Sequence, residues 1–117
     1  NPIFERDGKD LYIESPIPFE ISILGGAIKV PTLEGSISLK IPAQTQTGKI
    51  FRIRGKGASV VRDIRRGDIL CRVIVETPSN LDKKQLKLLN AFSESLSKSK
   101  NFPGTEAFIK ASERVED

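Results

Sequence analysis

The sequence predicts a mainly β protein: a small β-sandwich-like domain followed by a helical segment. Three observations support this fold class. Apolar residues recur at every second position in several short runs before residue 77. Glycines and prolines separate these runs at close spacing, as in domains built from two small sheets. After Pro78 the apolar spacing changes to the period of a helix. We therefore place the β-domain at residues 1–78 and the helical segment at residues 79–117.

The overall composition is that of a globular domain with an appendage. The chain has 117 residues, of which 38% are hydrophobic and 29% charged. This balance is typical of soluble globular proteins rather than disordered ones. The longest apolar runs are too short to cross a bilayer, so no membrane contact is expected. The sequence has no Met and opens within a strand pattern, which suggests a piece of a longer protein.

The first elements form a predicted hairpin. Residues 3–6 are predicted as a short strand, and residues 10–14 as the returning strand. The Asp7-Gly8 pair between them is typical of a tight turn, because glycine adopts the positive φ that such turns require. The segment that follows, residues 15–26, is ambiguous. Its two-residue period favours a strand, whereas Pro18 and the Gly25-Gly26 pair fit the two ends of a short helix.

The remaining strands are predicted from clear alternation. They cover residues 27–30, 36–41, 49–54 and 68–76, with a turn at residues 32–35. The last of them is the most apolar, and we expect it at the centre of a sheet with both faces covered. It contains Cys71, the only cysteine, which we expect to be a buried small side chain rather than a reactive thiol.

Local chemistry defines the start of the main helix. Asp82 is the predicted N-cap, Gln85 completes a capping box, and Leu81 with Leu86 fits a hydrophobic staple. The helix should run to about residue 96. Its apolar stripe consists of Leu86, Leu88, Leu89, Phe92 and Leu96. This stripe could pack on the chain's own β-domain or on a second copy in a two-fold dimer. A polar linker over residues 93–100, a turn at 102–104 and a short helix over 105–115 are predicted to follow.

No catalytic set is visible in the sequence. There is no His, and one cysteine cannot form an internal disulfide. The usual zinc sets and base-activated nucleophiles are excluded for the same reason. The acidic residues near the first turn are those of an ordinary solvated hairpin. We therefore expect a protein that binds rather than an enzyme.

A basic segment offers an alternative function. Residues 49–72 contain eight basic and two acidic residues, a net charge of +6 within a chain whose total is +4. Nucleic acid or an acidic protein could bind there. The residues of this predicted basic surface are Arg52, Arg54, Arg62, Arg65 and Arg66. Single-strand binders usually present exposed aromatic side chains, and this segment has only Phe51, on the predicted core face. A solvated surface is therefore favoured, and nucleic acid is not the expected partner.

Several stretches together resemble one known family. They are LGGAIKVPTLEG at residues 24–35, PAQTQTGK at 42–49, FRIRGKG at 51–57 and GDILCRVIVETP at 67–78, preceded by PIFER at 2–6. In combination they resemble the second C-terminal β-domain of DnaJ-type co-chaperones, and the bacterial members above all. The resemblance extends over nearly the whole chain to about residue 96.

This resemblance implies a fold and a function. It implies two small sheets with a short inserted helix, which favours the helical alternative for residues 19–24. It also implies a C-terminal helix that forms a homodimer, here through Leu86, Leu89, Phe92 and Leu96. Unfolded polypeptide clients would bind the β-domain, for which the candidate contacts are Ile13, Phe19, Leu24, Ile28 and Val30. The family acts in the cytoplasm with the chaperone DnaK. Its J-domain and its zinc-binding cysteine repeats are not in this sequence, so we expect no cofactor here.

Overall fold

A computed structural model of the chain describes residues 3–55, 57 and 67–116. The chain divides into two compact units, Asn1–Pro78 and Ser79–Asp117. The first contains β1 (Glu5–Asp7), β2 (Asp10–Pro18), α1 (Phe19–Leu24), β3 (Gly26–Thr32), β4 (Gly35–Ile41), β5 (Ile50–Ile53) and β6 (Ile69–Glu76). The second contains α2 (Lys83–Ser95), α3 (Lys98–Asn101) and α4 (Pro103–Glu116). The prediction of two small sheets with an inserted helix and a helical C-terminal segment is confirmed.

Four strands form the larger sheet, in the order β1-β2-β6-β5. β1 and β2 make an antiparallel hairpin in which Asp7 faces Asp10. The first strand thus begins two residues later than predicted. The turn residues are Gly8 and Lys9, one position beyond the predicted pair. Gly8 has a φ of 62°, as the first central position of a type II′ turn requires, so glycine is favoured there.

The ambiguous segment contains both a strand and a helix. β2 continues to Pro18 in parallel pairing with β6, and α1 begins at the next residue. β1 pairs with β2 only as far as Tyr12, so Pro16 and Pro18 lie where one side of β2 has no strand beside it. Proline lacks a backbone donor and is tolerated at such an edge. The period-two pattern and the proline signals were therefore both informative, for successive parts of the segment.

The smaller sheet is the antiparallel pair β3–β4. Its register joins Gly26 to Ile41 at one end and Thr32 to Gly35 at the other. Ile41 is buried, and Ile37 and Leu39 pack partly buried against the core, which confirms the predicted inward face of β4. Pro31 is accommodated because each strand of a two-stranded sheet has a free edge.

The core lies between the two sheets. It consists of Leu11, Ile13, Ile17, Val30, Ile41, Ile53, Ile69, Cys71 and Val73. These residues come from β2, β3, β4, β5 and β6, and β6 contributes alternate positions. Cys71 is fully buried as predicted, and burial raises the pKa of its thiol.

The outer face of β6 corrects one expectation. β6 is central in its sheet, between β2 and β5, but only one of its faces is buried. Ile74 on the other face is 38% exposed, and Leu70 is only half-buried. The apolar residues on this face had suggested a strand covered on both sides. In the part of the chain that the structure describes, nothing covers them.

The regular secondary structure described in the second unit is all helical. The Asp82 carboxylate accepts a hydrogen bond from the Gln85 amide at 2.8 Å, and the Gln85 side chain accepts one from the Asp82 amide at 2.9 Å. The predicted capping box is therefore confirmed. α2 ends at Ser95, close to the predicted end. The linker prediction is wrong for residues 98–100, because α3 (Lys98–Asn101) forms there, and the Asn101 side chain accepts a hydrogen bond from the Ser97 amide.

The predicted turn at residues 102–104 is also wrong. Pro103 is instead the first residue of α4, a position where its missing donor costs nothing. The second helix exists as predicted, with two more residues at its start. None of the helices that the structure describes is both long and apolar enough to span a membrane.

Candidate functional site

The outer face of the four-stranded sheet carries a shallow groove of about 570 Å³. Pairing across the sheet aligns Glu5 with Tyr12, Tyr12 with Leu70, and Leu70 with Arg52. The apolar lining of the groove is Ile3, Tyr12, Ile13, Ile50 and Leu70, and its charged lining is Glu5, Glu14 and Arg72. Two of the apolar side chains, Ile3 and Ile50, are about half exposed. The face thus combines exposed apolar surface with charges of both signs.

A second concavity lies beside β5. It has a volume of about 380 Å³ and is lined by the loop of residues 42–46 together with Lys49 and Phe51. The loop is fixed to α1, because the Thr45 amide donates to the Ser22 carbonyl at 2.8 Å and the Gln44 amide donates to the Ile23 carbonyl at 3.1 Å. We call this concavity the edge pocket.

The backbone of the edge pocket contains an unusual conformation. Gln44 has a φ of 63°, a region that side chains other than glycine seldom adopt. The Thr45 hydroxyl stabilises the turn by donating to the Pro42 carbonyl at 2.6 Å. Such a conformation persists only where the surrounding bonds fix it. The loop is therefore a preorganised wall.

The start of β5 is fastened to β6 through an irregular ladder. The Gly48 amide donates to the Val73 carbonyl at 2.8 Å, and the Val73 amide donates to the Lys49 carbonyl at 2.9 Å. One step further, the Val75 amide donates to the Thr47 hydroxyl at 3.0 Å. A side-chain oxygen therefore replaces a strand carbonyl here. These bonds fix the position of β5 relative to β6.

The residues proposed from family resemblance as client contacts are not gathered on one exposed surface. Ile13 and Val30 are 6% and 0% exposed and belong to the core. Phe19 and Ile28 are half-buried, and Leu24, at the end of α1, is 76% exposed. Val30 therefore offers no surface to a client, whereas Ile13 contributes the small exposed part of its side chain to the lining of the groove. Of the five, Leu24 presents the most.

The predicted dimerisation residues lie along one side of α2. Leu86, Leu89 and Phe92 are 46%, 41% and 48% exposed. Leu96, the residue after the helix, is half-buried. Leu88 lies beside Phe92 on the same side and is 63% exposed. No residue of α2 is buried, so its apolar stripe has no cover within the described part of the chain.

The predicted basic surface is partly neutralised. The Arg52 guanidinium donates to the Asp68 carboxylate at 2.6 Å and lies 4.0 Å from Asp10. Asp68 also accepts from the Gly55 amide at 2.9 Å. The Gly55 bond and the Arg52 guanidinium together lower the pKa of Asp68, and the Asp68 hydrogen bond raises the pKa of Arg52. Arg54 is exposed. Arg62, Arg65 and Arg66 lie outside the described residues.

Sequence reasoning missed the groove and the edge pocket. The signal for the groove was present, because β6 carries Leu70 and Ile74 between its buried residues and β2 carries Tyr12. We had interpreted that apolar second face as covered. The edge pocket had no signal in apolar spacing, since a polar loop forms most of its wall. Only the fixed position of that loop beside Phe51 creates it.

Comparison with protein families agrees with this architecture. The family model described as the DnaJ C terminal domain matches residues 1–78, two thirds of the chain and the whole of the β unit. The chain therefore belongs to the DnaJ C-terminal domain family. A general role in DnaJ-type chaperone function follows from this membership.

Proposed function

We propose that this chain is the client-binding and dimerising part of a DnaJ-type co-chaperone that supports protein folding with DnaK in the cytoplasm. The observation that carries the proposal is the exposed apolar groove, on a β unit that has a complete core of its own. A folded unit with an uncovered apolar surface typically uses it to bind a partner. We further propose that the chain acts by binding alone, without catalysis and without a cofactor of its own. Zinc would be bound by another region of the parent protein.

The chemistry of the groove suits an unfolded polypeptide. Unfolded chains expose apolar side chains, and Tyr12, Ile50 and Leu70 offer a matching surface. Glu14 and Arg72 face each other across the β2–β6 pairing and add charges of both signs. A surface of this kind can accept many sequences, because burial of apolar area is not directional. Broad and weak binding is what a chaperone requires.

The apolar stripe of α2 supports the dimer proposal. A helix of 13 residues with no buried side chain gains little stability from tertiary packing. A two-fold dimer would bury the stripe against its own copy, since such an interface uses the same surface on both subunits. Two groove-bearing units in one dimer would also raise the effective concentration of binding sites for one client.

An aggregation assay tests client binding. A chemically denatured enzyme is diluted into buffer with the intact chain, and light scattering is followed over time. The double variant Tyr12→Gln/Leu70→Gln should protect the client much less than the original chain does. Leu33→Gln removes an even more exposed apolar side chain, outside the groove in the β3–β4 turn, and serves as the control. If the original chain gives no protection, the client-binding proposal is wrong.

A third variant compares the groove with the site that family resemblance suggests. Leu24→Gln changes the most exposed of those five residues. If protection falls with Leu24→Gln but not with the groove variant, clients bind beside α1 and the groove is not the site.

The dimer proposal has its own test. Light scattering should give the mass of a dimer for the original chain at tens of micromolar. Leu89→Asp/Phe92→Asp places two charges on the stripe and should give a monomer. The control Lys87→Asp/Ala91→Asp introduces two aspartates on the opposite side of α2 and should remain dimeric. A monomeric original chain, or equal masses for both double variants, would refute an α2-mediated dimer.

A further inference from the structure

We propose that the free edge of β5 binds an extended polypeptide strand, with an apolar side chain in the edge pocket and acidic residues towards its two ends. This inference rests on the proposed client-binding function and specifies one mode of binding. It concerns the backbone of residues 50–52 and the edge pocket, rather than the outer groove or the residues near α1.

Alternate residues of β5 point their backbone amide and carbonyl groups away from β6. β5 is the last strand of its sheet and pairs only with β6. Hydrogen-bonded pairs alternate with non-bonded pairs along an antiparallel ladder. Because the Lys49 carbonyl bonds the Val73 amide, the next bonded pairs are Phe51 with Cys71 and then Ile53 with Ile69. The amide and carbonyl groups of the intervening residues therefore point away from β6.

Those outward groups form a short template for another strand. Ile50 and Arg52 each present one outward amide and one outward carbonyl. None of these four groups has a backbone partner among the described residues. An added strand would satisfy them and extend the sheet from four strands to five. Strand addition provides affinity through the main chain and specificity through pockets for alternate side chains.

The edge pocket supplies the side-chain site. Phe51 belongs to β5 and is half-buried, with its side chain on the core side of the sheet. A strand beside β5 would direct alternate side chains to that same side, against Phe51 and the loop of residues 42–46. The bonds from Gln44 and Thr45 to α1 hold the loop in place before any strand arrives. Binding would therefore require little ordering of the protein.

Charge distinguishes this edge from the other edge of the same sheet, which is β1. β1 is three residues long and consists only of charged side chains, which discourages strand pairing. β5 is instead flanked by Lys49 and Arg54, which are both exposed and form no ion pair with any described residue. Arg52 is neutralised by Asp68. The Lys49 cation, and the Arg54 cation whose charge also helps to lower the pKa of Asp68, favour a bound segment with carboxylates near its ends.

A labelled peptide tests the strand geometry directly. The probe is a nine-residue fluorescent peptide with a central Phe, flanking Val and Thr residues and a Glu near each end. Two further peptides carry N-methyl groups on alternate residues, one on the odd positions and one on the even positions. When the Phe occupies the pocket, either the odd-numbered or the even-numbered backbone amides of the peptide face β5, but not both. We expect that one methylated peptide binds like the probe and the other binds at least about tenfold more weakly.

Variants of the intact chain locate the site. Ile50→Pro removes an outward amide and leaves the amides that face β6, so it should weaken binding of the probe about tenfold. Ala43→Trp fills the edge pocket and should have a similar effect without changing β5. Lys49→Glu should weaken binding in a salt-sensitive way, whereas Lys29→Glu, the same change on an exposed residue of β3, should not. Thermal unfolding of each variant verifies that it is folded.

The outcomes separate this inference from the client-binding proposal. Strand addition at β5 would be overturned if both methylated peptides bind equally well or lose binding equally. It would also be overturned if the folded Ile50→Pro and Ala43→Trp chains bind the probe fully. The chain could still protect a denatured enzyme from aggregation in that case, and client binding would stand with another mode. Absence of protection by the original chain would instead refute client binding itself.

Discussion

The two units of the chain obtain their order in different ways. Among the described residues, the β unit has nine buried hydrophobic side chains, six of which are less than 2% exposed. In the helical unit, no described side chain is buried, and Phe108 and Val115 are 72% and 86% exposed. The β unit is thus held by its own interior, whereas the helices are defined mainly by local bonds and caps. A unit without an interior gains most from a partner surface, which is the physical basis of the dimer proposal.

Truncation of one apolar side chain in each unit tests this difference, and it should produce the largest effect. Ile69→Ala leaves a cavity in the fully buried centre of β6 and should lower the free energy of unfolding by about 2 to 5 kcal/mol. Val115→Ala removes a side chain already in solvent and should change it by about 0.5 kcal/mol or less. Urea unfolding followed by circular dichroism measures both. Equal losses would mean that the helical unit has an interior after all.

Replacing a glycine by alanine should lower stability in the β unit and raise it in the helical unit. Gly25 has a φ of 83°, and a Cβ there would lie 3.0 Å from the Ala43 backbone nitrogen and 3.1 Å from the Ile41 carbonyl oxygen. Gly25→Ala should therefore destabilise the β unit by about 1 to 3 kcal/mol. Gly104 lies in the first turn of α4 with open space around it. Gly104→Ala should stabilise α4 by about 0.4 to 1 kcal/mol, because alanine restricts the unfolded chain.

Differential scanning calorimetry checks the two glycine variants. The transition of the β unit should occur at a lower temperature in Gly25→Ala and at an unchanged temperature in Gly104→Ala. A destabilised Gly104→Ala chain would show that α4 uses the missing Cβ for a close approach.

The sequence predicted structure correctly where a pattern of residues is compatible with only one local structure. Alternation identified the strands, since burial on one face leaves a period of two, and the Asp82 and Gln85 pair identified the start of α2. It failed where a pattern has two physical causes. Apolar residues on both faces of β6 are compatible with a strand covered on both sides or with a strand that has one exposed binding face. Only the three-dimensional fold distinguishes these two alternatives. Residues 98–100 and 102–104 were predicted as linker and turn because Ser, Lys, Pro and Gly are common in loops. The same residue types also occur at helix starts, which is where the structure places them.

The candidate site was less predictable than the fold. Ile13 and Val30 share a sheet pattern with exposed residues, but which side of a strand faces the core depends on long-range pairing. The edge pocket depends on a loop whose place is set by bonds to Ser22 and Ile23, some twenty residues earlier in the chain. Contacts of this separation leave no mark in local spacing.

The cap of α2 provides a smaller test of the helical unit. Asp82→Ala removes the carboxylate that accepts from the Gln85 amide and should destabilise α2 by about 1 kcal/mol. Because this unit has no interior, the loss should be local. Amide hydrogen exchange should become faster in the first turns of α2, with no change in the exchange of β6. Faster exchange throughout the chain would indicate that the two units unfold together.

The smallest expected effect concerns the carboxylate that joins the two ends of the β5–β6 connection. The Gly55 amide and Arg52 hold the pKa of Asp68 below its ordinary value, so the charged form is favoured in the folded state. The stabilising contribution of Asp68 is therefore complete above the pKa of the unfolded chain and declines as the pH falls through the lowered folded value. The Arg52 side chain is nearly half exposed, so solvent screens its ion pair with Asp68 and the decline should be slight. Asp68→Asn should reduce the dependence of the unfolding midpoint on pH below about 4 and leave it unchanged near neutrality. An identical acid dependence in the variant would show that its bonds to Gly55 and Arg52 give the folded state no preference for the charged carboxylate.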